Sequence, residues 1–259
     1  MIDFPSSAAF AEVLADRRTI AAAVVAATAG LVRGFSGFGG ALIYMPLAAA
    51  IYDPKIAAVT LLLSDYFSST PFALFQLRRC TWSEVLPIAI ATALTIPLGT
   101  YLLIVLDPIV LRWTIAILVM ALLAILMTGW RYHGPSTLPI TATVGMVAGV
   151  GAGASQIAGP PVIFYWLSRG NNAMKLRANL MVYFLLCGST LIVVYGWKGL
   201  FTAEMIALSL MLGAFYVAGV AGGSFFFRGA SDRLYRNVAY AIIALAALVS
   251  LPVLDPILR

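Results

Sequence analysis

The sequence predicts an all-α polytopic membrane protein that forms a single membrane domain over residues 1–259. Hydrophobic residues make up 62% of the chain and charged residues 10%, against about 25% charged residues in a typical soluble protein. Apolar runs of about twenty residues or more recur along the whole chain, which is typical of transmembrane helices. The core of a soluble protein of this length could not bury so much apolar surface, so lipid must cover the rest.

Hydrophobic segments follow one another along the chain, separated by short polar or proline-containing breaks. The predicted segments are 19–51, 54–77, 83–106, 109–130, 138–168, 176–197, 203–227 and 234–254. Six of these eight segments have the length of one membrane-spanning helix. Segments 19–51 and 138–168 are longer and would form straight helices of about 45–50 Å, against a hydrocarbon core of about 30 Å. Both therefore need an internal break.

Each overlong segment contains a glycine-rich stretch. Residues 34–46 read GFSGFGGALIYMP, and residues 149–161 read GVGAGASQIAGPP. Non-helical backbone at membrane depth is tolerated only where it is buried in protein or lines a polar cavity. A half-helix that starts at such a break presents free N–H groups and a partial positive charge, which together attract an anion. Pro160 and Pro161 suit the first turn of such a half-helix, because the N–H they lack would have no partner there.

The two broken segments lie about 120 positions apart, which indicates an internal duplication. At this offset Gly39 aligns with Gly159, and one overlong segment is followed in both halves by three ordinary segments. We therefore predict two tandem repeats, 17–130 and 137–254, as in many secondary transporters.

The distribution of basic residues bears on how the repeats are oriented. If each broken segment dips into the membrane and returns, the repeats are inverted. One side then holds nine loop Lys and Arg residues, and the side of the termini holds six. If each broken segment crosses the membrane instead, the counts are eight and seven. The positive-inside rule favours re-entrant segments, with crossing segments as the alternative, and it places both termini on the non-cytoplasmic side.

Charged residues within the predicted spans are few, and Arg33 and Asp65 should each face a cavity or a partner because a charge in lipid is costly. Arg33 directly precedes the first break and is the natural cation for a bound anion. Asp65 is a candidate for proton coupling, or the counter-charge of Arg33 or Arg177. A purely structural pair between Arg33 and Asp65 is the alternative. Arg177 could equally extend to the membrane interface.

The predicted substrate-binding residues come from both breaks and from the start of segment 176–197. Glycines let a ligand approach the backbone closely, and polar side chains inside the breaks complete its coordination. Asn179 and Tyr183 lie four residues apart on one helix face near Arg177. The predicted set is Arg33, Ser36, Gly37, Gly39, Gly40, Ser155, Gln156, Gly159, Pro160, Arg177, Asn179 and Tyr183.

Spaced glycines have a second interpretation, which is close packing of helices. Gly145, Gly149 and Gly153 recur every four residues, and small residues at this spacing let two helices touch. We predict a packing role for Gly30, Gly99, Gly145, Gly219 and Gly223. The glycines clustered in the breaks are assigned to the ligand, because packing requires spaced glycines.

Several functional classes are excluded by the residues present. The chain has no Ser/His/Asp set, no HExxH motif and no phosphate-binding loop, so we expect no enzyme activity. Cys80 and Cys187 form no metal or disulfide pattern, and we expect no metal and no cofactor. The net charge of +6 is scattered over the loops rather than gathered on one face, which argues against nucleic-acid binding.

Two motifs resemble those of the sulfite exporter (TauE/SafE) family, also called the toluene sulfonate uptake permeases. The stretch GFSGFGGALIYMPL at 34–47 is similar to the first glycine motif of the family. The stretch GASQIAGPPVIFYWLSRG at 153–170, followed by KLRANL at 175–180, resembles the counterpart in the second repeat. The first motif departs from the common run of three glycines at Phe38.

The resemblance implies an integral-membrane carrier for small sulfur-containing or organic anions, and many members of the family are exporters. The second motif departs from the family at residues 155–156, where small residues are commoner. The resemblance places these residues near the substrate path: Ser36, Gly37, Gly39, Gly40, Gln156, Gly159, Pro160 and Arg177.

We therefore predict a secondary transporter in the bacterial inner membrane that exports a sulfonate-type or sulfite-type anion bound between the two glycine-rich breaks. Its expected partners are this anion and the lipid bilayer, and a homo-oligomer stays open. One alternative is an anion channel that uses the breaks as a filter. Another is a membrane interaction protein that transports nothing. Saturable flux with counterflow indicates a carrier, ohmic current indicates a channel, and a non-transporting protein responds to no anion.

Overall fold

The computed structural model describes residues 5–128, 137–167, 173–226 and 232–255. Within these ranges the chain forms eleven α-helices and one 3-10 turn, with no β-strand. The helices are α1 Ser7–Ala15, α2 Arg18–Ser36, α3 Gly40–Ile51, α4 Pro54–Gln76, α5 Trp82–Val105, α6 Pro108–Thr128, α7 Leu138–Ser155, α8 Gly159–Leu167, α9 Ala173–Trp197, α10 Ala203–Phe226 and α11 Asp232–Val249. The 3-10 turn covers Pro252–Leu254.

Five helices are long and apolar enough to cross a membrane, by length and composition: α5, α6, α7, most of α9 and most of α10. Large apolar side chains on these helices are exposed, among them Leu94 at 76% and Val193 at 71%. Such a surface is stable in lipid and not in water. The protein is therefore an all-α integral membrane protein with several spans, as predicted. The eight-segment arrangement and the two repeats stay predictions.

Helix α1 precedes the first predicted segment, and the sequence analysis assigned no element there. The Ser6 side chain caps this helix by accepting a hydrogen bond of 3.3 Å from the backbone N–H of Ala9. Helix α1 packs against α10. Its formation is explained by this cap and this contact, because nine residues alone would not hold a stable helix.

The helices gather into two compact units. The first contains α1 to α3, the first half of α4, α6, α10 and α11. The second contains the rest of α4 together with α5 and α7 to α9. Each unit thus combines helices from both halves of the chain.

In the first unit, α2 packs along α10 with their backbones in close approach. A Cβ atom on Gly30 would overlap the carbonyl oxygen of Tyr216, and one on Gly219 would overlap that of Ala27. Gly223 is held in the same way against Leu31. The packing role predicted for these three glycines is confirmed, because only glycine lets the two helices approach so closely.

In the second unit, α5 packs along α7 in a similar way. A Cβ atom on Gly145 would lie 2.6 Å from the carbonyl oxygen of Ile88, and one on Gly99 would overlap that of Val150. The predicted packing role of Gly99 and Gly145 is confirmed as well.

Candidate functional site

The first glycine-rich stretch ends one helix and starts another. Helix α2 ends at Ser36, and Gly37 follows in the left-handed region with φ of 73°. Gly39 also has positive φ, at 91°, and α3 begins at Gly40. Residues that have a Cβ atom rarely adopt this backbone conformation, which explains why these positions are glycine. The predicted break is therefore present, and the glycines at 37 and 39 form it.

The chain turns back at this break and does not continue along the axis of α2. A Cβ atom on Gly40 would lie 3.2 Å from both the carbonyl oxygen of Ala29 and the Cβ atom of Arg33. Helix α3 therefore starts beside the last two turns of α2 and packs against that helix. A re-entrant segment requires this geometry, although its depth in the membrane stays a prediction. The Ser36 side chain lies outside the described part of the chain.

Arg33 stands in the last turn of α2 and forms a bidentate ion pair with Asp65 of α4. Arg33 Nε donates to Asp65 Oδ1 at 2.9 Å, and Arg33 Nη2 donates to Oδ2 at 3.0 Å. The two side chains are 11% and 27% exposed. Arg33 Nη1 also donates to the carbonyl oxygen of Gly37. Arg33 thus links the glycine break to Asp65, and it is the counter-charge that the sequence had left open.

A tyrosine that the sequence analysis missed completes this cluster. Tyr216 of α10 is buried, and its hydroxyl donates to Asp65 Oδ1 at 2.7 Å. Its ring belongs to the segment that packs along α2, so helix packing places the hydroxyl at the break. The sequence indicated this residue only by placing a tyrosine, with its polar hydroxyl group, in the middle of an apolar helix.

The second break is shorter than predicted. Helix α7 continues to Ser155, so Gly149, Gly151 and Gly153 are all helical. A Cβ atom on Gly153 would overlap the carbonyl oxygen of Ile96, which makes it a packing glycine. The assignment of these glycines to a ligand site is therefore wrong: the missing side chains of Gly149 and Gly153 accommodate α5, and that of Gly151 accommodates the carbonyl group of Ile157. A similar correction applies to Gly34, where a Cβ would overlap the carbonyl oxygen of Val220.

The break itself is formed by residues 156–158. Gln156 has φ of 58° and ψ of 11°, and no other non-glycine residue among those described has positive φ. The backbone N–H of Gln156 donates to the carbonyl oxygen of Ala152 at 2.9 Å. The backbone N–H of Ile157 donates to the carbonyl oxygen of Gly151 at 3.3 Å. A left-handed helix ending of this kind normally carries glycine, so a glutamine in its place is strained. Strained residues of this kind cluster at functional sites.

The Gln156 side chain joins a short chain of hydrogen bonds. Gln156 Nε2 donates to the hydroxyl of Tyr195 at 3.1 Å, and this hydroxyl donates to the carbonyl oxygen of Gly153 at 2.9 Å. Tyr195 is buried on α9 and was missed by the sequence analysis. The neighbouring Ser155 is also buried, and its hydroxyl donates to Gly151 in its own helix at 2.9 Å.

Helix α8 begins at Gly159, with Pro160 and Pro161 in its first turn as predicted. These prolines remove two of the N–H groups that a half-helix would offer to an anion. A Cβ atom on Gly159 would lie 3.2 Å from the ring of Phe184. Helix α3 has no proline in its first turn, so its start is the better donor of backbone hydrogen bonds.

Asn179 and Tyr183 make their polar contacts with protein groups. Asn179 is fully buried, and its amide donates to Glu84 Oε2 at 2.9 Å and accepts from the N–H of Thr81 at 2.8 Å. The Tyr183 hydroxyl lies 3.2 Å from that of Thr92. These contacts join α9 to the start and middle of α5 and favour a structural role. Arg177 is exposed at the start of α9.

The sequence analysis gave no role to Glu84. The sequence does show an acidic residue at the start of α5 and basic residues at the start of α9, and these could have indicated an ion pair. The Glu84 carboxylate bonds Lys175 Nζ at 2.8 Å as well as Asn179. In the described ranges, no group of three or more His, Cys, Asp or Glu residues is placed to hold a metal ion.

Apolar spans, two helix interruptions and a half-buried arginine at one of them are features that many membrane transporters have. The model of the sulfite exporter TauE/SafE family matches residues 22–250. The chain therefore belongs to the sulfite exporter TauE/SafE family, as the two motifs had indicated. Comparison with curated proteins and with solved structures gives no match.

Proposed function

We propose that this protein is a secondary transporter that exports a small sulfur-containing anion, of the sulfonate or sulfite type, across the bacterial inner membrane. Membership of the sulfite exporter TauE/SafE family supports transport of this class of anion. The observation that carries the site is the position of Arg33, whose half-buried guanidinium stands directly before a glycine turn and contacts its backbone.

The chemistry of this site suits an oxyanion with tetrahedral geometry. A sulfonate group has three acceptor oxygens, and the planar fork of an arginine donates two parallel hydrogen bonds to such a group. Among the described residues, no atom lies within 4 Å of a Cβ built on Gly37, so the backbone of the glycine turn is open to close approach there. The first-turn N–H groups and the helix dipole at the start of α3 favour negative charge. At the second break, the side-chain amide of Gln156 stays a predicted donor.

Removing Arg33 alone is a poor test of this proposal. It would leave Asp65 charged in a largely buried position, and breaking a buried pair in this way costs about 3–5 kcal/mol. The double variant Arg33→Gln/Asp65→Asn removes both charges together and is the appropriate test. The chain also offers a matched control, because Arg112 and Asp255 form a second bidentate pair with distances of 2.7 and 2.8 Å.

The experiment measures binding and flux with the purified full chain. Thermal stability is recorded with sulfite, methanesulfonate and acetate, and uptake into proteoliposomes is then followed with the stabilising anion. A ligand at 100 times its dissociation constant adds about 2.7 kcal/mol of stability. We expect stabilisation by the sulfur oxyanions but not by acetate, with saturable flux and counterflow.

The variants separate the site from the function. We expect Arg33→Gln/Asp65→Asn to lose the anion response, and Arg112→Gln/Asp255→Asn to keep it. Retention of the response in both double variants would move the site away from Arg33. A wild-type protein that neither binds nor transports any sulfur oxyanion would refute the proposed function itself.

A further inference from the structure

The arginine that would bind the anion already holds a carboxylate. Both nitrogen atoms of its bidentate edge, Nε and Nη2, donate to Asp65, and Nη1 donates to the carbonyl oxygen of Gly37. We propose that the anion and one proton load together: the anion takes the Nε/Nη2 edge of Arg33, and Asp65 takes up the proton as it leaves that edge. This inference rests on the proposed function.

The geometry makes the two occupants of this edge mutually exclusive. A sulfonate that binds an arginine with two parallel hydrogen bonds needs the same Nε and Nη2 donors that Asp65 uses. The third nitrogen, Nη1, is directed to the backbone of the break. The anion therefore binds strongly only when Asp65 releases the guanidinium.

The surroundings of Asp65 explain why its release requires a proton. The pair is formed by α2 and α4, Tyr216 of α10 donates to it, and Tyr44 of α3 lies close enough to Tyr216 to interact with it electrostatically. Neither tyrosine carries a positive charge, and Tyr44 donates its hydroxyl hydrogen to Thr60. A carboxylate that gives up Arg33 gives up the cation that holds it with two hydrogen bonds, and an ionised carboxylate is costly at membrane depth.

Protonation removes this charge and keeps one existing contact. The neutral carboxyl group of Asp65 can still accept the hydrogen bond from the Tyr216 hydroxyl through Oδ1. The proton comes from water on the side from which the anion enters and binds a carboxylate oxygen. Arg33 keeps its charge and exchanges one anionic partner for another.

The charge balance decides the type of transport. The empty site holds one arginine cation and one aspartate anion, so its net charge is zero. The loaded site holds the arginine cation, a neutral Asp65 and the bound anion, so its net charge is again zero. Proton and anion therefore move in the same direction, and the cycle carries no net charge across the membrane. A high internal concentration of the anion drives both outward.

The direct test is the pH dependence of binding. Methanesulfonate is the suitable probe because it stays ionised at mildly acidic and neutral pH, whereas sulfite titrates there. Where Asp65 is ionised in the empty protein, binding takes up one proton, so affinity rises about tenfold for each unit by which the pH falls. Calorimetry in buffers of different ionisation enthalpy counts the protons taken up.

Two variants make the test specific to Asp65. Asp65→Asn should bind methanesulfonate with an affinity that does not depend on pH and without proton uptake, and more tightly than wild type at neutral pH. Tyr216→Phe removes the hydrogen bond that the Tyr216 hydroxyl donates to Asp65, so one contact fewer holds the carboxylate at its place beside Arg33. It should therefore bind several-fold more tightly than wild type at neutral pH and keep the pH dependence. This second variant keeps the charge pair, so it serves even if Asp65→Asn does not fold.

The outcomes distinguish the coupling from the proposed function. Wild-type affinity that is independent of pH, or an unchanged pH dependence in Asp65→Asn, would overturn the coupling while leaving the anion site in place. Failure of wild type to bind methanesulfonate or sulfite at any pH would overturn the proposed function and the coupling with it. In proteoliposomes, an internal pH dye should report protons that move with the anion at a rate insensitive to membrane potential.

Discussion

The hydroxyl group of Tyr216 occupies the space that a side chain at Gly40 would need. A Cβ atom built on Gly40 would lie 2.9 Å from this oxygen, and the same hydroxyl donates to Asp65 at 2.7 Å. The absence of a side chain at the start of α3 therefore lets α10 reach the ion pair. Gly40 belongs to the first glycine motif, and this contact gives that motif a physical role besides forming the turn.

Gly40→Ala should accordingly disturb the ion pair without touching either charge. The added methyl group must displace the Tyr216 ring, and overpacking of this kind costs about 1–3 kcal/mol. We expect a lower melting temperature in detergent than for the wild-type protein.

The matching background is Tyr216→Phe, which removes the oxygen that the methyl group would meet. In that background Gly40→Ala should cost clearly less than in wild type, because the nearest side-chain oxygen is gone. Equal costs of Gly40→Ala in both backgrounds would show that Tyr216 is not the group that excludes a side chain at position 40.

The packing of α2 on α10 makes a sharper prediction, since one helix offers both the test and its control. Gly219→Ala would press a methyl group into the backbone of Ala27 and should lower the melting temperature strongly or prevent folding. At Gly213 the nearest atom to an added Cβ is 3.6 Å away. Gly213→Ala should be neutral or slightly stabilising, because alanine is favoured over glycine in helices by about 1 kcal/mol.

The two variants are compared by thermal unfolding in the same detergent. Similar melting temperatures for Gly219→Ala and Gly213→Ala would argue against the close approach of α2 and α10.

The strained Gln156 allows backbone cost and side-chain function to be separated. Gln156→Gly relieves the strain of the left-handed backbone conformation, whereas Gln156→Ala keeps this strain. Both variants remove the side-chain amide. The glycine variant should be more stable than the alanine variant by about 1 kcal/mol. Both should lose the anion response if the amide contacts the substrate.

Tyr195→Phe is the control for this pair, because it removes the hydroxyl that the Gln156 amide meets without changing the backbone of the break. Anion binding that survives in both Gln156 variants would restrict the site to the first break.

Cys80 reports which side of the membrane the α4–α5 connection faces. The residue is half-buried and follows Arg78 and Arg79, which the positive-inside rule places in the cytoplasm. A maleimide that cannot cross membranes should therefore label permeabilised cells but not intact ones. Burial raises the pKa of the Cys80 thiol, so less thiolate is present at neutral pH and labelling should speed up as pH rises.

Cys187 should not interfere in this experiment, since it is buried within α9. Cys187→Ala should leave labelling unchanged, and Cys80→Ser should abolish it. Full labelling of intact cells would place this connection outside and reverse the predicted orientation.

The stability of the ion pair gives a last prediction. Arg33→Gln should destabilise the protein by about 3–5 kcal/mol, because it removes one partner of a largely buried ion pair and leaves the other. Adding Asp65→Asn should restore much of this loss. Thermal unfolding of the two variants and wild type measures both steps, and a double variant no more stable than Arg33→Gln would contradict a pairwise interaction.

Much of the fold could be predicted because lipid imposes a strict rule on the backbone. Each polar backbone group at membrane depth needs an internal partner, so long apolar runs must be helical and must end near prolines, glycines and charges. The predicted segment 83–106 and the observed helix α5 therefore agree to within one residue at each end. The packing glycines could be predicted for a similar reason, since their spacing is a property of the helix itself.

The candidate site could be predicted only in part. Arg33 and Asp65 were identified because charges within apolar segments are costly, yet the sequence could not choose between Arg33 and Arg177 as the partner of Asp65. Tyr216 and Tyr195 could not be predicted at all, because a tyrosine in an apolar helix looks the same whether its hydroxyl meets a ligand, a carboxylate or a carbonyl. Gly153 was misassigned because helical packing and a break both favour glycine.

The sequence by itself determined the membrane class, the helical segments, the two interruptions and the family. These features depend on local composition and on backbone hydrogen bonds within one segment. The tertiary structure decided which helices lie together, and hence that α2 pairs with α10, that Asp65 meets Arg33, and that Tyr216 fits above Gly40. The physical reason is that contacts between helices depend on the shape of both surfaces, and residues more than thirty positions apart carry no local sign of each other.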